Sequence, residues 1–279
     1  DYRHYLQRDR TENFTVGKAD FVRSALREGL RLDDVLGVNP FAFGVIGSTD
    51  SHTSLSSAEE PNFWGKMAFD SVPERKQRDA LAIGPTGWTM QAGGLAAVWA
   101  EDNTRAAIMA AFKRKEVYGT TGPRIRLQFS TQLGDQTLPM GSTITQALQD
   151  APLFTVVAQK DPKPANLDRI QIVKGWLQAD GQTAEKVFNV AWSGARALDA
   201  SGKLPPVGDT VDRSSGTWRD DIGAAELSIN WQDPEFSPGQ AAFYYVRVLQ
   251  IPRPGRTHRR TQCDSGTGVQ QRHMVTPIS

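Results

Sequence analysis

The sequence predicts an α/β segment over residues 1–123 followed by an all-β segment, a β-sandwich, over residues 124–251. Three observations carry this. Residues 18–36 repeat apolar side chains at a helical period. The apolar run Leu95–Ala100 is followed by a short turn and a helical pattern to about Glu116, a strand–turn–helix succession. After Gly119-Thr120-Thr121-Gly122-Pro123 apolar residues fall at every second position, and no long amphipathic helix interrupts residues 124–251.

In the first helix Phe21, Val22, Ala25, Leu26, Leu30 and Leu36 form the apolar face, with Gly37 as its stop and Pro40 beyond. Phe41–Gly47 reads as a short buried strand that leads into the polar loop Ser48–Thr53. Residues 54–93 are rich in Ser, Glu, Pro and Gly and carry Phe63, Trp64, Phe69 and Trp88; their length suits a functional loop or lid. Asp102 or Asn103 can cap the second helix, whose apolar face is expected at Ala106, Ala107, Met109, Ala110 and Phe112. In the sandwich, Ile125, Leu127 and Phe129 alternate with polar residues, as do Leu227, Ile229 and Trp231. Leu153–Ala158, Ile170–Trp176, Val187–Trp192 and Phe243–Ile251 supply further strands, separated by turn signals such as Asp161-Pro162 and Asp233-Pro234.

Charge excludes several classes of partner. The chain has 279 residues with 32 basic against 31 acidic, so nothing global recommends nucleic acid or an anionic membrane. Residues 252–279 hold five Arg against Asp264 alone, the single Cys, and no helical or strand period. This basic stretch reads as a disordered or poorly packed tail, and a non-native end is one account of it. One cysteine forbids an internal disulfide and a Cys-rich zinc site. No apolar run approaches the roughly 20 residues of a membrane span. The chain starts at Asp1 without a signal-peptide pattern, so a processed or partial chain is expected.

Asp50 and His52 are the strongest local signal for chemistry. In an extended segment residues i and i+2 face the same way, so a carboxylate and an imidazole can converge on one metal ion or substrate. A capping Asp beside a surface His in a turn fits the same spacing. Arg124, in Thr-Gly-Pro-Arg, could grip an anionic substrate through its guanidinium fork, or simply mark a hinge beside Pro123. Glu101 and Asp102 could act in acid–base chemistry, but their place ahead of a helix favours a dipole role. Lys174 and Trp176 could mark a sugar-binding face; a Trp in the strand core is the commoner arrangement. There is no Gly-x-Ser-x-Gly elbow and no P-loop.

The run Phe43-Gly44-Val45-Ile46-Gly47-Ser48-Thr49-Asp50-Ser51-His52-Thr53 resembles the last metal-ligand motif of the PHP (polymerase and histidinol phosphatase) superfamily. The likeness extends through Gly94–Arg105, Tyr118–Arg124, Gln171–Trp176, Lys203–Gly208 and Tyr244–Val248. Together these resemble a bacterial PHP-like family labelled as a domain of unknown function, over about residues 15–251. The resemblance implies a distorted βα barrel with a metal cluster at its strand ends. It implies Asp50 and His52 as catalytic metal ligands, and zinc, manganese or iron as the divalent ion. The reaction it implies is phosphoester hydrolysis by metal-activated water on a small-molecule substrate.

The early His-x-His of that superfamily has no counterpart here, and His4 stands alone in its region. The expectation is therefore the C-terminal part of a PHP-like barrel over residues 1–123, whose missing N-terminal part is its partner and holds most of the ligands. Such a fragment would be inactive alone. A periplasmic or secreted origin is implied by the resemblance only. The alternative is an accessory sandwich that docks carbohydrate or another domain beside a vestigial metal site.

Overall fold

The computed structural model describes residues 21–55, 57, 66–67, 93–163, 165–212, 215, 217–252 and the backbone of 272–275. The readings of Phe63, Trp64, Phe69 and Trp88 as a lid, of His4, and of most of the basic tail lie outside those residues.

Helix α1 (Val22–Leu36) buries Leu26, Gly29 and Leu30, a stripe at helical spacing. It ends as expected at Gly37, whose φ of 71° turns the chain while its N–H donates to the Asp33 carbonyl. A side chain there would be strained, which is why glycine suits the stop. Val22 and Leu36, expected on the apolar face, are 50% and 64% exposed.

The body is a stack of three layers. A six-stranded antiparallel sheet has the order β1 (Leu95–Val98), β2 (Val117–Thr120), β12 (Arg272–Val275), β11 (Ala242–Gln250), β6 (Leu167–Leu177), β7 (Thr183–Trp192). A four-stranded antiparallel sheet has the order β10 (Glu226–Gln232), β5 (Leu153–Gln159), β3 (Arg126–Leu133), β4 (Gln136–Pro139). A small ribbon pairs β8 (Val211–Asp212) with β9 (Thr217–Trp218). The inner faces of the two larger sheets meet through Leu127, Phe129, Phe154 and Val156 on one side and Ile170, Ile172, Val246 and Val248 on the other. Phe154 lies at the centre, 5.5 Å from the Phe129 ring and 4.7 Å from the Tyr244 ring. Each of these fully buried side chains contributes about 1.5–3 kcal/mol of transfer free energy. On the outer face of the larger sheet Val173, Phe243 and Tyr245 pack under Leu26 and Leu30 of α1, so α1 is the third layer.

Every strand expected in the all-β half is present. The change of pattern after Gly119–Pro123 is the place where the chain leaves one sheet, at β2, and enters the other, at β3. Tyr118 fastens that crossing: its hydroxyl donates to the Ile125 carbonyl and accepts from the Leu127 N–H. The Trp99 indole N–H donates to the Leu127 carbonyl beside it.

Five expectations are corrected. Phe41–Gly47 is neither a strand nor buried; it is irregular and half-exposed. Its backbone enters no ladder; Phe43 packs into the α1 cluster, and Gly47 lies against the backbone of Leu95 and Thr120. The strand–helix–strand unit is not of the parallel kind a βα barrel needs. Here β1 and β2 flank α2 (Arg105–Lys113) but pair antiparallel with each other. No closed βα barrel is present among the described residues. In α2 the cap is Thr104, whose hydroxyl accepts from the Ala107 N–H, and the buried residue is Ala111. Met109 and Phe112 are 54% and 36% exposed, so the face they share turns to solvent. Trp176, expected in the strand core, is half-buried. Within the basic stretch, residues 272–275 form β12 between β11 and β2.

Candidate functional site

The segment that carries Asp50 is held against the β1–β2 hairpin by glycines. A Cβ on Gly94 would fall 2.3 Å from the Thr120 carbonyl oxygen and 3.2 Å from Gly47 Cα. A Cβ on Gly93 would fall 2.2 Å from the Thr49 carbonyl oxygen. Only bare backbone lets residues 47–49 lie so close, and this contact fixes where Asp50 begins.

Asp50 has φ of 53°, in the left-handed region, and Ser54 has 60°. The extended i, i+2 arrangement expected from the sequence is therefore absent. The two side chains meet instead through a turn, and the His52 N–H donates to the Lys66 carbonyl. His52 Nε2 stands 3.6 Å from Asp50 Oδ1, with 56% and 72% of the side chains exposed. His52 Nδ1 is 2.9 Å from the Met67 sulfur. A thioether can only accept, so Nδ1 carries a proton and Nε2 is the ring nitrogen that faces Asp50. A proton or a metal ion between them is what makes that geometry favourable.

The spacing passes a simple test. Two ligands about 2.1 Å from a tetrahedral zinc-like ion stand about 3.4 Å apart, close to the 3.6 Å observed. Asp50 and His52 thus fit as two ligands of one ion. Among the described residues no group of three or more His, Cys, Asp and Glu gathers around a single point. Lys66 Nζ lies 3.9 Å from Asp50 Oδ2 and adds positive charge at the same place. Sequence reading missed Lys66 and Met67, which come from a stretch with no period to mark them.

Arg124 is exposed at the sheet crossing, where its backbone N–H donates to Asp161 Oδ2 at 2.6 Å. Asp161 also accepts from the Lys163 N–H. The backbone role shown here is that of a pinned turn. Glu101, Asp102 and Arg105 are exposed.

A second concentration of chemistry lies inside the sandwich and was only half seen in the sequence. Lys174 on β6 pairs with Asp233 at 2.5 Å, with 3% and 0% of the side chains exposed. Its ammonium also donates to the Glu235 carbonyl. The Tyr244 hydroxyl donates to the same Asp233 oxygen at 2.8 Å. Burial first, and then the Asp233 carboxylate, push the Tyr244 phenol far above its usual range. The signal was present: Lys174 shares strand parity with Ile172 and so faces inward. A further buried cluster joins Asp168 to Arg169 and Arg196. Because Arg196 also donates to the Ser193 and Pro205 carbonyls, that cluster staples the loop after β7.

No helix among the described residues is long and apolar enough to cross a membrane. Compared with protein families, residues 1–276 match the one described as Protein of unknown function (DUF3604). No curated protein and no solved structure matches the chain.

Proposed function

With its match spanning residues 1–276, the chain belongs to the DUF3604 family, and from that premise we propose that it acts in metal-dependent phosphoester hydrolysis, with Asp50 and His52 as two of the metal ligands. The observation that carries the reading is the approach of His52 Nε2 to within 3.6 Å of Asp50 Oδ1, a spacing that two ligands of one ion can take. Zinc, manganese or iron suits a mixed imidazole and carboxylate donor set. The ion, when bound, supplies Lewis-acid chemistry: it polarises a phosphoryl oxygen and acidifies water. Met67 holds the imidazole tautomer that leaves Nε2 as the donor atom. Lys66 brings a cation to the site, where it offsets the charge of an anionic substrate. Further ligands come from outside the described residues, in keeping with the resemblance to a PHP-like barrel.

The test is metal content and hydrolysis of p-nitrophenyl phosphate and its diester by the protein as its gene encodes it. Asp50→Ala and His52→Ala are each expected to weaken metal retention at least about 100-fold and to abolish turnover. Full metal occupancy with unchanged turnover in both variants would refute the proposal.

A further inference from the structure

We propose that a cavity at one end of the sandwich binds a neutral, polyhydroxylated molecule of one or two sugar rings. This stands apart from the metal reading and uses none of its residues. The cavity has a volume of about 490 Å³, inside the roughly 300–1,000 Å³ range of small-molecule sites. It opens where α1, the loop at residues 143–148 and the turn at residues 236–242 meet, and it reaches in between the two sheets. Lys174, Phe154 and Tyr244 line its buried part.

The chemistry of the lining selects the ligand. The Lys174 ammonium is nearly inaccessible and already engaged by Asp233 and the Glu235 carbonyl, with the Trp176 and Tyr244 rings 5.2 and 5.9 Å away, so it forms part of the cavity wall and leaves ligand recognition to other groups. Asp233 neutralises that cation, and the other charged group on the lining is Asp33, a carboxylate at the exposed end of α1. A phosphate or carboxylate therefore gains no net attraction. Asn39 uses its carbonyl oxygen to hold the Phe41 N–H, so its NH₂ remains to donate. Gln240 uses its NH₂ on the Leu177 carbonyl, so its own carbonyl remains to accept. A lining that offers donors and acceptors together, with no net positive charge, suits hydroxyls, which do both. The half-buried Phe236 ring on the lining gives apolar surface for the C–H face of a sugar.

The probes are glucose, galactose, maltose and cellobiose, with glucuronate as the charged counterpart, followed by saturation-transfer NMR and calorimetry. Ala147→Trp, at an exposed position on the lining, is the decisive variant. At least one neutral sugar is expected to bind with a Kd of about 1 mM or tighter. Glucuronate should bind more weakly, and Ala147→Trp should weaken binding at least about tenfold with an unchanged melting temperature. Failure of all four neutral sugars to bind the folded protein would overturn the proposal, as would a Kd untouched by Ala147→Trp or stronger binding of glucuronate.

Discussion

Replacing Lys174 by Met should destabilise the fold far more than an exposed charge would. Lys174 Nζ and Asp233 Oδ2 are 2.5 Å apart and nearly inaccessible. At an effective dielectric of about 20 their attraction is about 7 kcal/mol, which desolvation of the two ions largely offsets. The pair as a whole is thus close to neutral in stability, but its halves are not. With Lys174→Met the Asp233 carboxylate stays buried and keeps two donors, the Tyr244 hydroxyl and the Glu235 N–H. An ion left in that state costs about 3–5 kcal/mol. In urea, with an m-value of about 3 kcal/mol/M, the midpoint falls by roughly 1–1.7 M. Adding Asp233→Asn removes the stranded charge while leaving an oxygen for the Glu235 N–H, so the double variant should recover at least about 1 kcal/mol. If Lys174→Met costs under about 1 kcal/mol, and Asp233→Asn changes nothing on that background, the buried pair is not what the geometry says it is.

Two more outcomes follow from other parts of the molecule. Asp50→Gly relieves the left-handed strain at φ of 53°, so thermal denaturation should show a gain of about 1 kcal/mol while metal retention is lost; a loss of stability would mean that the carboxylate contacts outweigh the strain. Tyr118, Tyr244 and Tyr245 all have phenols held above the usual value, chiefly by burial. A raised folded value means protons are held more tightly in the fold. Their contribution is intact below pH of about 10 and is lost as the pH climbs beyond it. Phenolate absorbance in the folded protein should therefore show Tyr118, Tyr244 and Tyr245 titrating late; ionisation of all five tyrosines near the ordinary value without unfolding would contradict this.

The sandwich was legible where burial is one-sided. In β3 Leu127 and Phe129 are buried while Arg126 and Gln128 are exposed, so the alternation can be read directly. In β6 and β11 both faces are covered, by α1 and by the other sheet, and the sequence shows only apolar runs whose length argues for strands. What could not be read is pairing. That β1 and β2 run antiparallel, and that β12 slots between β2 and β11, depends on partners far apart in the chain. The strand–turn–helix pattern around α2 is the same whichever way the next strand returns. Of the candidate site, Asp50 and His52 were visible as a motif, but the turn that brings them together was not. Its cause is the close backbone approach at Gly93 and Gly94, and a pair of glycines carries no label of what it leans on.

The two places of interest impose opposite demands, and this bears on how the chain divides its work. Asp50 and His52 are solvent-exposed side chains on a segment outside any ladder, so their geometry rests on a glycine contact and on the His52-to-Lys66 backbone bond. On the proposed reading, an ion that ties both side chains together would hold such a segment in place. The Lys174 cavity is already satisfied: its ion pair, the Tyr244 hydroxyl and the Asp233 turn are fixed before any ligand arrives. Occupancy there should leave the backbone where it is, whereas an ion at Asp50 should order residues 50–54. Preorganisation at the cavity and its lack at the acidic turn both come from burial, since only the cavity lies between two packed sheets.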